Sequence, residues 1–267
     1  LDLLMSHLAG PRLGRGEMVF VYDYPASRAA LARIAEVDGV PVGKLQRKLS
    51  QKLLRQWKRK HPGHRSFTVL RHPVARALIT HAHADHVHGI DDLRTFTLRT
   101  GTAIPIYAAR GVLDRIQGLF SYIFSETDAP GYRPRLEVNE VRGPFKLFGQ
   151  LVTPIPLVHG PGESLGYRVG NLAYVVDCSA IPNSSWQLLQ GLEVLVIDAL
   201  RFRQHESHFT ISAAIEVARQ LRVPKTLLTH LTHDIDYPRH SAELPEGVEF
   251  AHDGQTLTLP LPVAQEQ

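Results

Sequence analysis

Thr80-His81-Ala82-His83-Ala84-Asp85-His86, which follows the apolar run Ala77-Leu78-Ile79, is the stretch on which the reading of this chain turns. The short apolar run predicts a buried strand, and residues 81–86 then form a loop at its C-terminal edge. Three imidazoles and a carboxylate within six residues cannot be buried without partners, and a divalent cation absorbs their lone pairs best. Residues two apart in an extended turn project the same way, so His81 and His83 can grip one ion. Asp85 and His86 then point toward a second position, as in a two-metal hydrolase. Taken alone, the loop also suits a solvated histidine-rich turn or a structural metal site. Four residues downstream, each at the end of an expected strand, favour the metal pair: His159, Asp177, His208 and His230.

Composition narrows the class. At 267 residues, with 43% apolar and 21% charged residues, the chain suits one sizeable α/β domain. The single cysteine, Cys178, excludes an internal disulfide framework and a cysteine-rich zinc knuckle. No apolar run approaches the roughly 20 residues of a membrane span, and the start lacks a signal pattern. A cytoplasmic enzyme without membrane partners is the expectation. The first residue is Leu1 rather than Met, which reads as a fragment or a partial reading frame.

A sequence pI near 9.3 suggests a nucleic-acid binder until the charge is located. Residues 43–71 hold ten Lys or Arg and no Asp or Glu, so removing them from the net +4 leaves −6 for the rest. The basicity belongs to one segment. Within it, Leu45, Leu49, Leu53 and Trp57 recur four apart, which predicts an amphipathic helix over 44–60. RNA or a membrane surface would suit its polar face, but a solvated cover for the domain is favoured over either. Upstream, residues 18–22 read as a strand, and a helix from Pro25 through Ala29, Leu31, Ile34 and Val37 would stop at Gly39 and Pro41. Residues 1–73 therefore form an atypical N-terminal segment ahead of a hydrolase domain at 74–267.

From Val74 onward the pattern repeats an apolar strand followed by His or Asp. Strands are predicted over 104–107, 151–158, 165–169, 172–176, 192–197 and 226–229, and helices over 111–124 and 210–222, the latter capped by Thr210. The Pro- and Gly-rich residues 125–144 read as a flap over one end of the site. Gly160-Pro161-Gly162 makes a sharp turn, and Gly170-Asn171 signals a hairpin. These strands deliver His159, Asp177, Asp198 and His230 to one edge.

The loop His81 to His86 with His159, Asp177 and His230 resembles the metallo-β-lactamase superfamily. Further motifs are similar to its branch of cyclic phosphodiesterases acting on phosphoribosyl 1,2-cyclic phosphate. These are His88-Gly89-Ile90-Asp91-Asp92-Leu93-Arg94, Asp198-Ala199-Leu200-Arg201, His205-Glu206-Ser207-His208-Phe209-Thr210, Thr229-His230-Leu231-Thr232-His233-Asp234 and Ala251-His252-Asp253-Gly254. The resemblance spans about residues 74–257. It implies a four-layer αββα sandwich and two divalent ions, Zn2+ or Mn2+, with iron also acceptable at the second position. His81, His83 and His159 would bind one ion, Asp85, His86 and His230 the other, and Asp177 would bridge. Asp85 and His208 are the catalytic candidates, with Asp198 orienting a ligand imidazole from behind.

The implied substrate is a small, cyclic phosphodiester cleaved by a metal-activated hydroxide, in a monomer or a homodimer. The alternatives are an RNase Z-like nuclease, whose basic helix would track RNA, and a non-catalytic chimera that binds metal without turnover. The glycine-rich turn, the cysteine-containing segment and the Asp-Thr-Gly-like turn that open the branch are not visible, so the N-terminal part of the first sheet is expected to be atypical or incomplete. Phe20-Val21-Tyr22-Asp23-Tyr24-Pro25-Ala26-Ser27 is similar to part of the elongation factor P lysine ligases, over some forty residues and without their ATP motif.

Overall fold

The computed structural model describes residues 76–126 and 131–252, positions 255, 257 and 259, and a short ladder near the N-terminus. In that ladder Glu36–Val37 (β1) pairs antiparallel with Val40–Pro41 (β2). Val37 is thus extended, not the end of the helix expected from Pro25; Asp38-Gly39 between the strands is a two-residue hairpin signal. The strand expected at 18–22 and the basic helix expected at 44–60 lie outside the described residues.

Two sheets carry the rest. The first is Ala77–Leu78 (β3), Ile104–Ala108 (β4) and Leu136–Glu140 (β5), all parallel in that order. Three strands are what the described residues contribute to it. Its outer face packs against Ala84–Val87 (α1), Arg94–Thr100 (α2), Arg110–Leu119 (α3) and Ser121–Phe124 (α4). Ile79, Ile104 and Ile106 there meet Val87, Ile90, Leu113, Ile116 and Ile123. Two expectations are corrected here. The helix predicted over 111–124 breaks at Phe120 (φ −120°, ψ 42°), whose ring packs edge-on to His88. The flap predicted over 125–144 contains β5, because Leu136 and Val138 alternate with Glu137 and Asn139 at the two-residue period of a strand.

The second sheet has seven strands, Phe145–Leu147 (β6), Gln150–His159 (β7), Gly162–Val169 (β8), Leu172–Val175 (β9), Val194–Asp198 (β10), Lys225–Thr229 (β11) and Val248–Phe250 (β12), in spatial order β12-β11-β10-β9-β8-β7-β6. Strands β6 to β9 are an antiparallel meander, and β9 to β12 run parallel. The predicted two-residue turns join the meander, with Gly160 (φ +58°) and Gly170 (φ +55°) in the left-handed region that glycine enters freely. Helices Asn183–Trp186 (α5), Ile211–Leu221 (α6) and Tyr237–Ser241 (α7) follow in the C-terminal half. The Thr210 hydroxyl caps α6 by accepting from Ala213 N–H at 3.1 Å, and Ile211, Ala214, Val217 and Leu221 pack on Ile155, Leu157, Val175, Leu195 and Ile197.

Between the sheets, Leu78 packs on Val152, Tyr167 and Val169, and Tyr107 stacks on Phe145 at 5.0 Å. Burying each such side chain is worth roughly 1.5–3 kcal/mol. Polar contacts fix the register: Tyr167 donates to the Ile79 carbonyl at 2.9 Å, and Leu165 N–H to the Thr80 carbonyl at 3.0 Å. Helices, sheet, sheet and helix form the expected αββα sandwich. The Ile79 and Thr80 contacts sit immediately before His81, so the packing of the sheets aims the histidine loop at the ends of β7 to β11.

Candidate metal centre

His81 and His83 follow β3, with His83 in extended backbone (φ −71°, ψ 156°), but the loop ends sooner than expected. Helix α1 begins at Ala84, with His83 at its N-cap, and carries Asp85 and His86. Alanine favours the helix, and an acidic residue in its first turn complements the helix dipole. Neighbouring helical positions face differently, so His86 is buried while the Asp85 side chain is 59% exposed. His159 is the last residue of β7 and Asp198 the last of β10; Asp177 and His230 follow β9 and β11. Asp177 (φ +56°) and His230 (φ +61°) both occupy the left-handed region, a conformation costing on the order of 1–2 kcal/mol for a residue with a Cβ.

Asp177 sits at the centre. Its Oδ2 lies 3.3 Å from His81 Nε2, 3.2 Å from His86 Nε2 and 3.6 Å from His159 Nε2, and its Oδ1 lies 3.3 Å from His230 Nε2. His83 Nδ1 is 3.2 Å from His159 Nε2, and Asp85 Oδ2 is 3.3 Å from His86 Nε2. Three groups result, His81, His83, His159 and Asp177, then Asp85, His86, Asp177 and His230, and then Asp198, His208 and His230, each with ligand atoms within 4.8 Å of one another. The first two bring together the residues that the sequence reading assigns to two ions, with Asp177 common to both.

The donor set fits divalent cations. Ligand atoms about 2.0–2.1 Å from a tetrahedral zinc ion sit about 3.3–3.4 Å apart, close to the 3.2–3.6 Å spacings here. The buried atoms His81 Nε2 and Asp177 Oδ1 make no hydrogen bond, an arrangement that costs free energy unless a cation fills it. His159 donates Nδ1–H to the Ser207 carbonyl at 2.7 Å, which leaves the Nε2 lone pair facing the cluster. Burial pushes the His159 imidazole down to about 4, so it is neutral at physiological pH. Burial and the neighbouring His81 also lower His83. For Asp177, burial pushes the carboxyl up, but the neighbouring imidazoles of His81, His86 and His230 hold it well below the usual carboxylate range. The imidazoles of His230 and His86 do the same for Asp85.

His208 stands beside the two Asp177-centred groups. Its Nδ1 is 2.7 Å from Asp198 Oδ2, and its ring lies 4.8 Å from those of His159 and His230. Asp198 is fully buried and also accepts from Cys178 N–H at 2.9 Å; burial pushes its carboxyl up, opposed by the hydrogen bond from His208. The sequence reading placed Asp198 behind a ligand imidazole. Its short contact is instead to His208, with His230 Nδ1 at 3.9 Å. Among the other histidines, His233 is open to solvent and His240 packs edge-on to Phe202. What sequence reasoning missed are backbone contributors, the Ser207 carbonyl and Cys178 N–H, which carry no side-chain signature.

Residues 45–231 match the model of the Beta-lactamase superfamily domain. The chain belongs to the metallo-β-lactamase superfamily. The match begins inside the basic stretch and ends one residue past His230. Among solved structures, a new diphosphatase from the PhnP family is 33% identical with a TM-score of 0.67, covering 76% of this chain and 79% of that one. Human tRNase Z, short form, is 20% identical with a TM-score of 0.53, covering 70% and 80%, a likeness of fold alone. An octanoyltransferase of Porphyromonas gingivalis (strain ATCC BAA-308 / W83) is 36% identical over 181 residues, 66% of this chain. The chain spans only 36% of that relative's length. Superfamily membership, likeness to a PhnP-family diphosphatase and the histidine–aspartate groups give this chain the fold of the metallo-hydrolases and side chains suited to divalent cations. Among the described residues, no helix is long and apolar enough to cross a membrane.

Proposed function

We propose that the protein hydrolyses a small phosphodiester, with a ribose cyclic phosphate as the type substrate. His81, His83 and His159 would hold one divalent ion, Asp85, His86 and His230 a second, and Asp177 both. Two such ions, zinc or manganese by the donor set, supply Lewis acidity toward phosphoryl oxygens and lower the pKa of a water. The chain's own groups do the rest. As the imidazolium, His208 would give its Nε2 proton to the departing sugar oxygen while its Nδ1–H stays on Asp198, leaving the neutral ring with Nε2 free to take up a proton again. The Asp198 carboxylate holds that ring in place and would stabilise it when protonated. Asp85 is the exposed carboxylate of the set and is kept ionised, so it meets and orients the incoming water.

The observation that carries this reading is the Asp198–His208 pair set against the Asp177-centred groups. A poor alkoxide leaving group needs such a proton donor, whereas a purely structural metal site does not. The PhnP-family diphosphatase supports phosphorus–oxygen chemistry in general. Purified protein supplied with zinc or manganese should hydrolyse bis(p-nitrophenyl) phosphate and a ribose cyclic phosphate. Turnover of diphosphates alone would move the assignment to anhydride cleavage, and salt-sensitive cleavage of RNA alone would move it to a nuclease. No turnover on any of them, with metal bound, would leave the non-catalytic reading.

A further inference from the structure

The loop His205-Glu206-Ser207-His208-Phe209 docks on the ends of three separate strands. Ser207 receives His159, the last residue of β7, through its carbonyl at 2.7 Å. His208 meets Asp198, the last residue of β10, at 2.7 Å. Phe209 N–H donates to the carbonyl of Cys178, beyond β9, at 2.8 Å. The loop is braced from within by His205, whose Nδ1 lies 3.3 Å from Ser207 N and 3.2 Å from Ser207 Oγ.

Close packing at one glycine makes this docking specific. Gly160 follows His159 directly and has φ +58°. A Cβ there would lie 2.9 Å from Ser207 Cβ and 3.4 Å from Ser207 Cα, so any side chain pushes the loop away. We propose that Gly160 and Ser207 form a positioning joint, through which one placement of the loop sets both the Nδ1–H tautomer of His159 and the seat of His208. The two functions are one residue apart on a short, braced segment, so a shift of Ser207 moves them together. Misplacement of about 1 Å can cost on the order of 100-fold in rate. The rate part of this inference rests on the phosphodiesterase reading; the ligand part rests only on the geometry.

The test is Gly160→Ala, alone and combined with Ser207→Gly. Three readouts are compared with wild type: metal affinity by chelator competition, the low-field imidazole N–H proton resonances, and relative rates on alkyl and nitrophenyl phosphodiesters. Gly160→Ala should weaken one of the two ions about 10–100-fold. It should shift the resonances of His159 and His208 together, and reduce the alkyl rate by a further 10-fold or so beyond the nitrophenyl rate. Removing the opposing Cβ in the double variant should recover all three. Unchanged affinity and resonances in Gly160→Ala, or losses that Ser207→Gly does not relieve, would overturn the joint. If Gly160→Ala does not fold, Ser207→Val crowds the same contact while keeping the glycine; the same paired losses are predicted, and wild-type behaviour would overturn the proposal. Should wild type turn over no phosphodiester, the affinity and resonance readouts still decide the joint by themselves.

Discussion

The two sheets build their halves of the site in different ways. The first sheet contributes closely spaced side chains: β3 ends at Leu78, and His81, His83, Asp85 and His86 follow within eight residues. The second sheet contributes scattered ones, His159, Asp177, Asp198, His208 and His230, each from a different strand end or loop. The first half is specified by residue types at close spacing. The second is specified by register, by left-handed backbone at Asp177 and His230, and by backbone acceptors such as the Ser207 carbonyl. Tolerance should differ accordingly: the first half fails when a ligand is removed, and the second also fails when the backbone behind a ligand moves.

The seam between the halves is where the largest effect is expected. Asp177 touches His81 and His86 on one side and His159 and His230 on the other, so on the proposed reading Asp177→Ala should release both ions and bring turnover to the assay floor. His81→Ala and His159→Ala, one from each half, should each release the first ion. Metal analysis after gel filtration checks this; retention of two ions by Asp177→Ala would break the bridge.

Next in size is His208, which belongs to the second half and stands outside the two Asp177-centred groups. His208→Ala should keep both ions yet lose about 10²–10⁴ in rate on a ribose cyclic phosphate, and much less on a nitrophenyl ester. Equal losses on the two substrates would make His208 a phosphate-positioning group, and loss of metal would make it a ligand.

A smaller effect is set by pH. His159 has a folded pKa lowered from 6.5 to about 4 by burial, so as pH falls the unfolded chain takes the proton first. The metal-free protein should therefore hold this part of its stability above about pH 6.5 and lose it as pH falls toward 4. Melting temperatures of metal-free protein across that window should fall with pH, and His159→Gln should flatten part of the decline. An unchanged slope in the variant would show that His159 is not the group responsible.

The smallest effect concerns the basic stretch. Neutral substitutions at Lys52, Arg55, Lys58 and Arg59 should leave turnover of a small phosphodiester unchanged, because the stretch's charge is local while the ligand-bearing remainder is acidic. Loss of a salt-sensitive RNA cleavage in that variant would instead favour the nuclease reading.

These differences also explain what was legible in the sequence. The histidine loop was readable because its ligands are contiguous, and the strands before His159, Asp177, Asp198 and His230 were readable because each is an apolar run ending in a ligand type. Thr210 as the cap of α6 and the turns at Gly160 and Gly170 were local signals and held. What was not legible depends on through-space packing. Helix α1 starting inside the histidine loop reflects a four-residue element shorter than any periodicity can show. Strand β5 was hidden among prolines and glycines, and the break at Phe120 follows from its ring packing on His88. That Asp198 meets His208 at 2.7 Å, closer than it meets His230 at 3.9 Å, could not be read from spacing, since Asp198 and His208 meet only through the docked loop.

If two unlike halves meet at one shared carboxylate to hold two ions, metal titration of chelator-treated wild-type protein, followed by calorimetry and elemental analysis, will show it. Saturation is expected at two divalent ions per chain, with both steps abolished in Asp177→Ala. Saturation at one ion, or no binding of zinc or manganese, would contradict it.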